Sequence, residues 1–261
     1  MSDGIAIAVD SVSQVFRTRR QTLHALDDIE LEVRDGEFVT LVGRSGCGKS
    51  TLLRIIAGLL PASAGEVRVH GARVSAPRRD VSLMFQRAAL LPWRSVIDNV
   101  LLPVEILKLD ARTHRTRAEE LLALAGLEGF EGRKPYELSG GMQQRVALCR
   151  ALVHDPSVLL MDEPFAALDA LTREELSLEL QRIWGEHRKT IVFVTHSIQE
   201  ATLLADRIVV MSPRPGRIAR ILEVNAPRPR SLGLTARAEE LDRISAELHE
   251  LLFARELQAS L

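Results

Sequence analysis

The sequence predicts an α/β fold with a phosphate-binding loop at its centre, and three observations carry that prediction. The apolar run FVTLV at 38–42 leads straight into the glycine-rich segment GRSGCGKST at 43–51, and the following TLLRIIAGLL reads as a helix. Two further apolar runs, VLLM at 158–161 and TIVFVT at 190–195, end at polar residues suited to phosphate or metal chemistry. Continuously apolar strands alternating with helical stretches imply a parallel sheet covered on both faces.

Composition bounds the rest. The chain has 261 residues, 46% hydrophobic and 26% charged, enough for one large globular domain or one and a half. A net charge of −1 gives no overall attraction to nucleic acid or anionic lipid, and the basic runs RTRR (17–20) and PRPR (227–230) read as solvated loops. Two cysteines, Cys47 and Cys149, are too few for a disulfide framework and fit a reducing compartment, the cytoplasm. The N-terminus lacks a basic segment followed by an apolar core, and no run of 18 apolar residues occurs. The expectation is a chain that neither spans a membrane nor crosses one unaided.

The first 40 residues read as strands. In DDIELEVRDGE (27–37), Ile29, Leu31 and Val33 alternate with charged neighbours, the period of a sheet with one wet face, and Asp35-Gly36 supplies a turn. In the loop after FVTLV, Gly43, Gly46 and Gly48 are expected to adopt dihedrals closed to other residues, turning consecutive N–H groups inward. Lys49 adds a charge for the outer phosphates, Ser50 a hydroxyl for magnesium, and the helix start a favourable dipole. Gly43 to Thr51, with Arg44, Ser45 and Cys47, thus form the expected nucleotide cradle, in which Cys47 is a tolerated small residue.

A phosphate loop needs a metal-holding acid, and SVLLMDEP (157–164) offers one. Asp162 would orient magnesium and its waters, and Glu163 would polarise an attacking water. Taken alone, the pair is equally a strand leaving through charged residues; the upstream loop gives it the metal reading. His196 closes the third apolar run at the edge where open α/β sheets bind ligands, a candidate γ-phosphate contact. Gln86, after VSLMF, is a candidate to orient water or metal from the same edge.

LSGGMQQRVALCRAL (138–152) adds a second Ser-Gly-Gly opening onto a helix, which a single nucleotide does not need. Together with the loop 43–51, Gln86, LLMDEP, ALD at 167–169 and Thr195-His196, in that order and approximate spacing, it makes residues 5–225 resemble the ATP-binding subunits of ABC transporters. The resemblance implies a RecA-like phosphate-loop core, an antiparallel β subdomain and an inserted helical subdomain at about 88–155, within a nucleotide-binding domain spanning 1–232. It also implies a head-to-tail homodimer in which Ser139, Gly140, Gly141 and Gln143 of one copy cover the γ-phosphate held by the other. Phe16 matches the family's adenine-stacking aromatic, Asp169 its dimer contact, and Ser50, Gln86 and Asp162 its magnesium ligands. ATP and Mg2+ are the implied cofactors.

Such a motor acts on a separate membrane protein, and RAALLPWRSVIDNV (87–100) carries an apolar patch around Pro92 and Trp93 that would take a permease subunit. ALLPWRSVIDNV and ATLLADRIVVMSPRPGRI are similar to the ATPases of nitrate, sulfonate and taurine importers. This implies transmembrane permease subunits, indirectly a solute-binding protein, no nucleic acid, and a peripheral place on the cytoplasmic face of the cell membrane. The chain departs from the family at Ala166, where glycine is usual, and at Ser197 and Gln199, where acids are common. None of these removes a phosphate-handling group.

The tail, 233–261, spaces Leu241, Ile244, Leu248 and Leu251 as one face of an amphipathic helix expected to lie on its own domain. Two rival readings remain. A phosphate-loop kinase leaves the Ser-Gly-Gly segment idle, and a soluble ABC ATPase of translation or repair usually carries two such domains or a coiled-coil insertion.

Overall fold

A computed structural model describes residues 4–17, 21–166, 168–230 and 238–258. In chain order its strands are β1 (Ile5–Arg17), β2 (Thr22–Arg34), β3 (Phe38–Val42), β4 (Ala64–Val69), β5 (Ala72–Arg73), β6 (Val81–Met84), β7 (Val158–Asp162), β8 (Thr190–Thr195), β9 (Arg207–Met211) and β10 (Ile218–Glu223). The helices are α1 (Lys49–Ile56), α2 (Val96–Val100), α3 (Leu102–Leu107), α4 (Ala111–Leu124), α5 (Gly140–Leu152), α6 (Ala170–His187), α7 (Ile198–Leu204) and α8 (Ala238–Gln258). The fold is α/β with two sheets.

The antiparallel sheet runs β2-β1-β4-β5. Its register places Ile29, Leu31 and Val33 opposite Val12, Val9 and Ile7, so the alternation in β2 becomes one continuous apolar face. The second sheet runs β10-β9-β3-β8-β7-β6, parallel from β9 to β6 with β10 antiparallel at its edge.

The central strands are almost wholly apolar because each serves two cores. Ile191 and Phe193 of β8 join Leu159 and Met161 of β7 in a core with α4, α5 and α6. Val192 and Val194 turn the other way, with Val158 and Leu160, onto α1 and the antiparallel sheet. Phe38, Phe193 and Phe165 stack tilted at 5.6–5.9 Å between centroids, and buried Trp184 meets Phe38 edge-on.

Helices α2–α5 are inserted between β6 and β7. Asn99 of α2, fully buried, accepts from the Leu91 N–H at 2.7 Å and donates to the carbonyls of Leu91 and Ser95 at 3.1 and 2.9 Å. These bonds pin segment 91–95 and leave Trp93 at its tip, 70% exposed.

Two expectations change. The helix after the phosphate loop ends at Ile56 and does not run on to Leu60. Gly58 lies in the left-handed region at φ +72°, and the Leu59 N–H returns to Arg54 O at 2.9 Å, a glycine-terminated helix end. The PRPR run is not a solvated loop. Arg230 is 3% exposed, its guanidinium donating to the carbonyls of Val224, Ala226, Thr202 and Ala205. Arg228 pairs with Asp206 and lies over Trp184. The reason is the C-terminal end of α7, whose orphan carbonyls a planar five-donor cation satisfies. Of RTRR, residues 18–20 lie outside the described residues.

In α8, Leu241, Ile244 and Leu248 are buried against α7, β9 and β10, while Leu251 is exposed. No helix among the described residues is long and apolar enough to cross a membrane.

Candidate functional site

The parallel strands deliver their C-terminal ends to one edge. Beyond β3 comes the glycine loop, beyond β6 Gln86, beyond β7 Glu163 and beyond β8 His196. A cleft of about 360 Å3 opens there, lined by Ser45, Gly46, Gly48, Lys49, Ser50 and Thr51 of the loop and start of α1. Phe16 and Ala25 of the antiparallel sheet line one side, Gln86, Asp162 and Glu163 the other.

The loop glycines divide by cause. Gly46 and Gly48 have φ +78° and +104°, which β-carbon-bearing residues avoid. Gly43 does not take positive φ: a Cβ there would stand 2.8 Å from Cys47 Sγ and 3.0 Å from Met211 O, so close approach is its reason. Gly43, Arg44 and Cys47 shape the loop from behind and do not line the cleft. Cys47 is buried, and its N–H closes a turn onto Arg44 O at 3.2 Å.

Lys49 is buried and donates to the carbonyls of Gly43 at 2.7 Å and Arg44 at 3.2 Å. Ser50 donates its hydroxyl to Asp162 Oδ1 at 2.7 Å. Hydroxyl and carboxylate are hard oxygen donors, the kind magnesium shares with phosphate oxygens and water. No group of three His, Cys, Asp or Glu able to hold a metal occurs among the described residues.

Glu163 sits at φ +47°, an uncommon backbone position for a non-glycine residue, with its N–H donated to Val194 O at 3.0 Å. This aims its carboxylate along the sheet edge, where Oε2 lies 3.3 Å from His196 Nδ1. Behind His196, Thr195 donates its hydroxyl to the buried carboxyl of Glu200, and Arg173 Nε lies 3.5 Å from the same carboxyl. Burial pushes the Glu200 carboxyl above its ordinary value, against the opposing pull of the Thr195 hydroxyl and Arg173.

The second Ser-Gly-Gly lies apart, and none of Ser139, Gly140, Gly141, Gln143 or Asp169 lines the cleft. Ser139 caps α5, accepting from the Met142 N–H at 3.3 Å. A Cβ on Gly141 would meet Thr172 Cγ2 at 2.7 Å, whereas one on Gly140 would meet nothing within 4 Å. One glycine is small for its own domain, and the other faces open space. Gln143 donates to Pro135 O at 3.0 Å, and Gln144 to the backbone oxygen of Gln86 at 2.7 Å, joining α5 to the cleft. Asp169 caps α6; the Thr172 backbone N–H, then its hydroxyl, hold the carboxyl below its ordinary value. Ala167, beside it, lies outside the described residues.

Sequence reasoning missed Arg214. It lines the cleft from the turn between β9 and β10, and Nε and Nη2 donate to Gly46 O at 3.2 and 3.0 Å. It also missed buried Thr195 and Glu200 with half-buried Arg173 beside them. The segment SPRPG drew notice only for its likeness to importer ATPases, and nothing in it points to a loop 168 positions earlier.

The profile of the family described as ABC transporter matches residues 26–166. The chain belongs to the ABC transporter family.

Among its relatives, an ABC transporter ATP-binding protein of Methanocaldococcus jannaschii is 47% identical over 226 residues, covering 87% of this chain and 85% of that one. A taurine import ATP-binding protein of Rhizobium johnstonii is 46% identical over 94% of both chains. An aliphatic sulfonates import ATP-binding protein of Bacillus cereus is 44% identical over 87% of this chain and 89% of that one. A dimeric ATP-binding cassette solved in a post-hydrolysis state with ADP and Pi aligns with TM-score 0.75 and 34% identity, over 87% of this chain and all of that one. This ABC cassette is an ATP-binding ATPase.

Proposed function

We propose that this cassette is the ATP-hydrolysing subunit of an importer for taurine, an aliphatic sulfonate, nitrate or a related small solute, working as a homodimer on the cytoplasmic face of the cell membrane. The observation that carries the reading is the separation of its phosphate-handling groups. The cleft is lined by loop residues, Asp162 and Glu163, while Ser139 and Gly140 are exposed outside it, with open space beside Gly140. Two copies head to tail bring each Ser-Gly-Gly over the other's cleft.

Phe16 stacks the adenine, the loop N–H groups and Lys49 hold the phosphates, and Ser50, Asp162 and Gln86 supply protein ligands for magnesium. The cation, when bound, neutralises charge on the outer phosphates. Glu163 accepts a proton from water as its oxygen bonds to the γ-phosphorus. The bond to the β–γ bridging oxygen breaks, leaving ADP and inorganic phosphate. His196 and the partner's signature serine steady the transferred group. Residues 1–232 form the cassette, with 88–155 as its helical part and 233–261 as its tail.

Exposed Trp93, on the segment pinned by the Asn99 staple, is our candidate for the permease-docking face. The test is gentle extraction of the tagged chain from its source membranes, with wild-type and Trp93→Ala proteins compared. A polytopic membrane protein recovered with wild type and depleted with the variant supports the proposal. A soluble partner alone assigns the chain to the non-transport branch of the family.

A further inference from the structure

The turn between β9 and β10 is built onto the phosphate loop. A Cβ on Gly216 would stand 2.0 Å from Cys47 O, and one on Gly43 would stand 3.0 Å from Met211 O, so the two backbones touch through glycines. The turn is tied equally to β2. The Gly216 N–H donates to Ala25 O and the Asp27 N–H to Gly216 O, both at 3.0 Å, and Arg217 pairs with Asp27. Arg214 is therefore carried on a turn fixed between the loop and the strand that borders the cleft.

Its chemistry is unbalanced. Arg217 has a carboxylate partner, whereas Arg214 has none within ion-pair reach among the described residues. A guanidinium carries five N–H donors. In Arg214, Nε and Nη2 converge on Gly46 O, and no other bond of its side chain occurs among the described residues. An unneutralised, partly unspent cation thus lines the cleft from outside the loop, in addition to buried Lys49. Arginine presents a planar fork suited to phosphate oxygens, where lysine offers a point charge.

We infer that Arg214 is a second phosphate-positioning cation of this site, contacting the phosphate chain of the bound nucleotide while bracing the loop through Gly46. The inference rests on the reading of the cleft as the ATP site. It makes the loss on removing Arg214 grow with the number of phosphates on the ligand.

Equilibrium calorimetry with ATP, ADP and AMP on wild-type, Arg214→Ala, Arg214→Gln and Lys49→Ala proteins tests this. Arg214→Ala weakens ATP by about 5- to 20-fold, the span of a partly screened charge-assisted hydrogen bond, and AMP by less than about 2-fold. Arg214→Gln, which keeps amide donors for Gly46 but no charge, shows the same loss. Arg214 is exposed, so both variants keep the wild-type melting temperature. Wild-type affinity for ATP in Arg214→Gln, or equal losses for AMP and ATP in Arg214→Ala, overturns the inference. ATP binding by wild type that is abolished in Lys49→Ala shows that the site reading stands whatever Arg214 does, and a folded wild type that binds no ATP removes both.

Discussion

Glu163 and His196 leave adjacent parallel strands side by side, with Oε2 of one 3.3 Å from Nδ1 of the other. The contact depends on the positive φ of Glu163, which turns its carboxylate along the sheet edge. Of the two, Glu163 lines the cleft together with the loop, and His196 stands beside it without lining the cleft.

Replacing the base separates binding from chemistry. Glu163→Gln keeps the shape and hydrogen-bonding reach of the side chain but cannot take the proton from water. Turnover falls by roughly 10²- to 10⁴-fold with ATP affinity retained. Phosphate release and calorimetry on one preparation check it, and near-wild-type turnover rules out Glu163 as the base.

The signature glycines give opposite outcomes on substitution. Gly141→Val drives a side chain into Thr172 and lowers stability by about 1–3 kcal/mol, read by denaturant unfolding. Gly140→Phe meets open space, so the chain melts as wild type yet loses ATP-driven association. A stable Gly141→Val, or an associating Gly140→Phe, removes the division of labour between the two positions.

Alkaline stability follows from Cys149. Burial pushes its thiol up to about 12 from an ordinary value of 9.0. The unfolded chain therefore loses this proton first, and between pH 9 and about 12 the native state is progressively disfavoured as pH rises. Its contribution to the slope approaches about 1.4 kcal/mol per pH unit. The stability-versus-pH curve of Cys149→Ala lacks that component, whatever its absolute stability. Equal slopes in the two proteins contradict the assignment.

What the sequence made legible was whatever repeats a physical rule locally. FVTLV, VLLM and TIVFVT are almost wholly apolar because each faces two cores, and that requirement is visible in the letters. So is the loop between a strand and a helix. Interactions set by tertiary contact were not legible. PRPR looks like any charged loop until α7 ends beside it with unsatisfied carbonyls, and Arg230 is then the donor that fills them. Arg214 sits in a Pro-Gly turn whose meaning comes from a loop brought against it by β9 and β3 pairing. Gly43 was legible as a glycine but not as one chosen for crowding, since crowding belongs to Met211 and Cys47.

The central claim is that one copy's Ser139-Gly140-Gly141 completes the ATP site of another. Light scattering after size exclusion of Glu163→Gln, with ATP and then with ADP, tests it most directly. The account predicts twice the chain mass with ATP, a single chain mass with ADP, and no dimer with ATP when Gly140→Phe is added. A protein that binds ATP yet stays a single chain, or a dimer indifferent to Gly140→Phe, contradicts it.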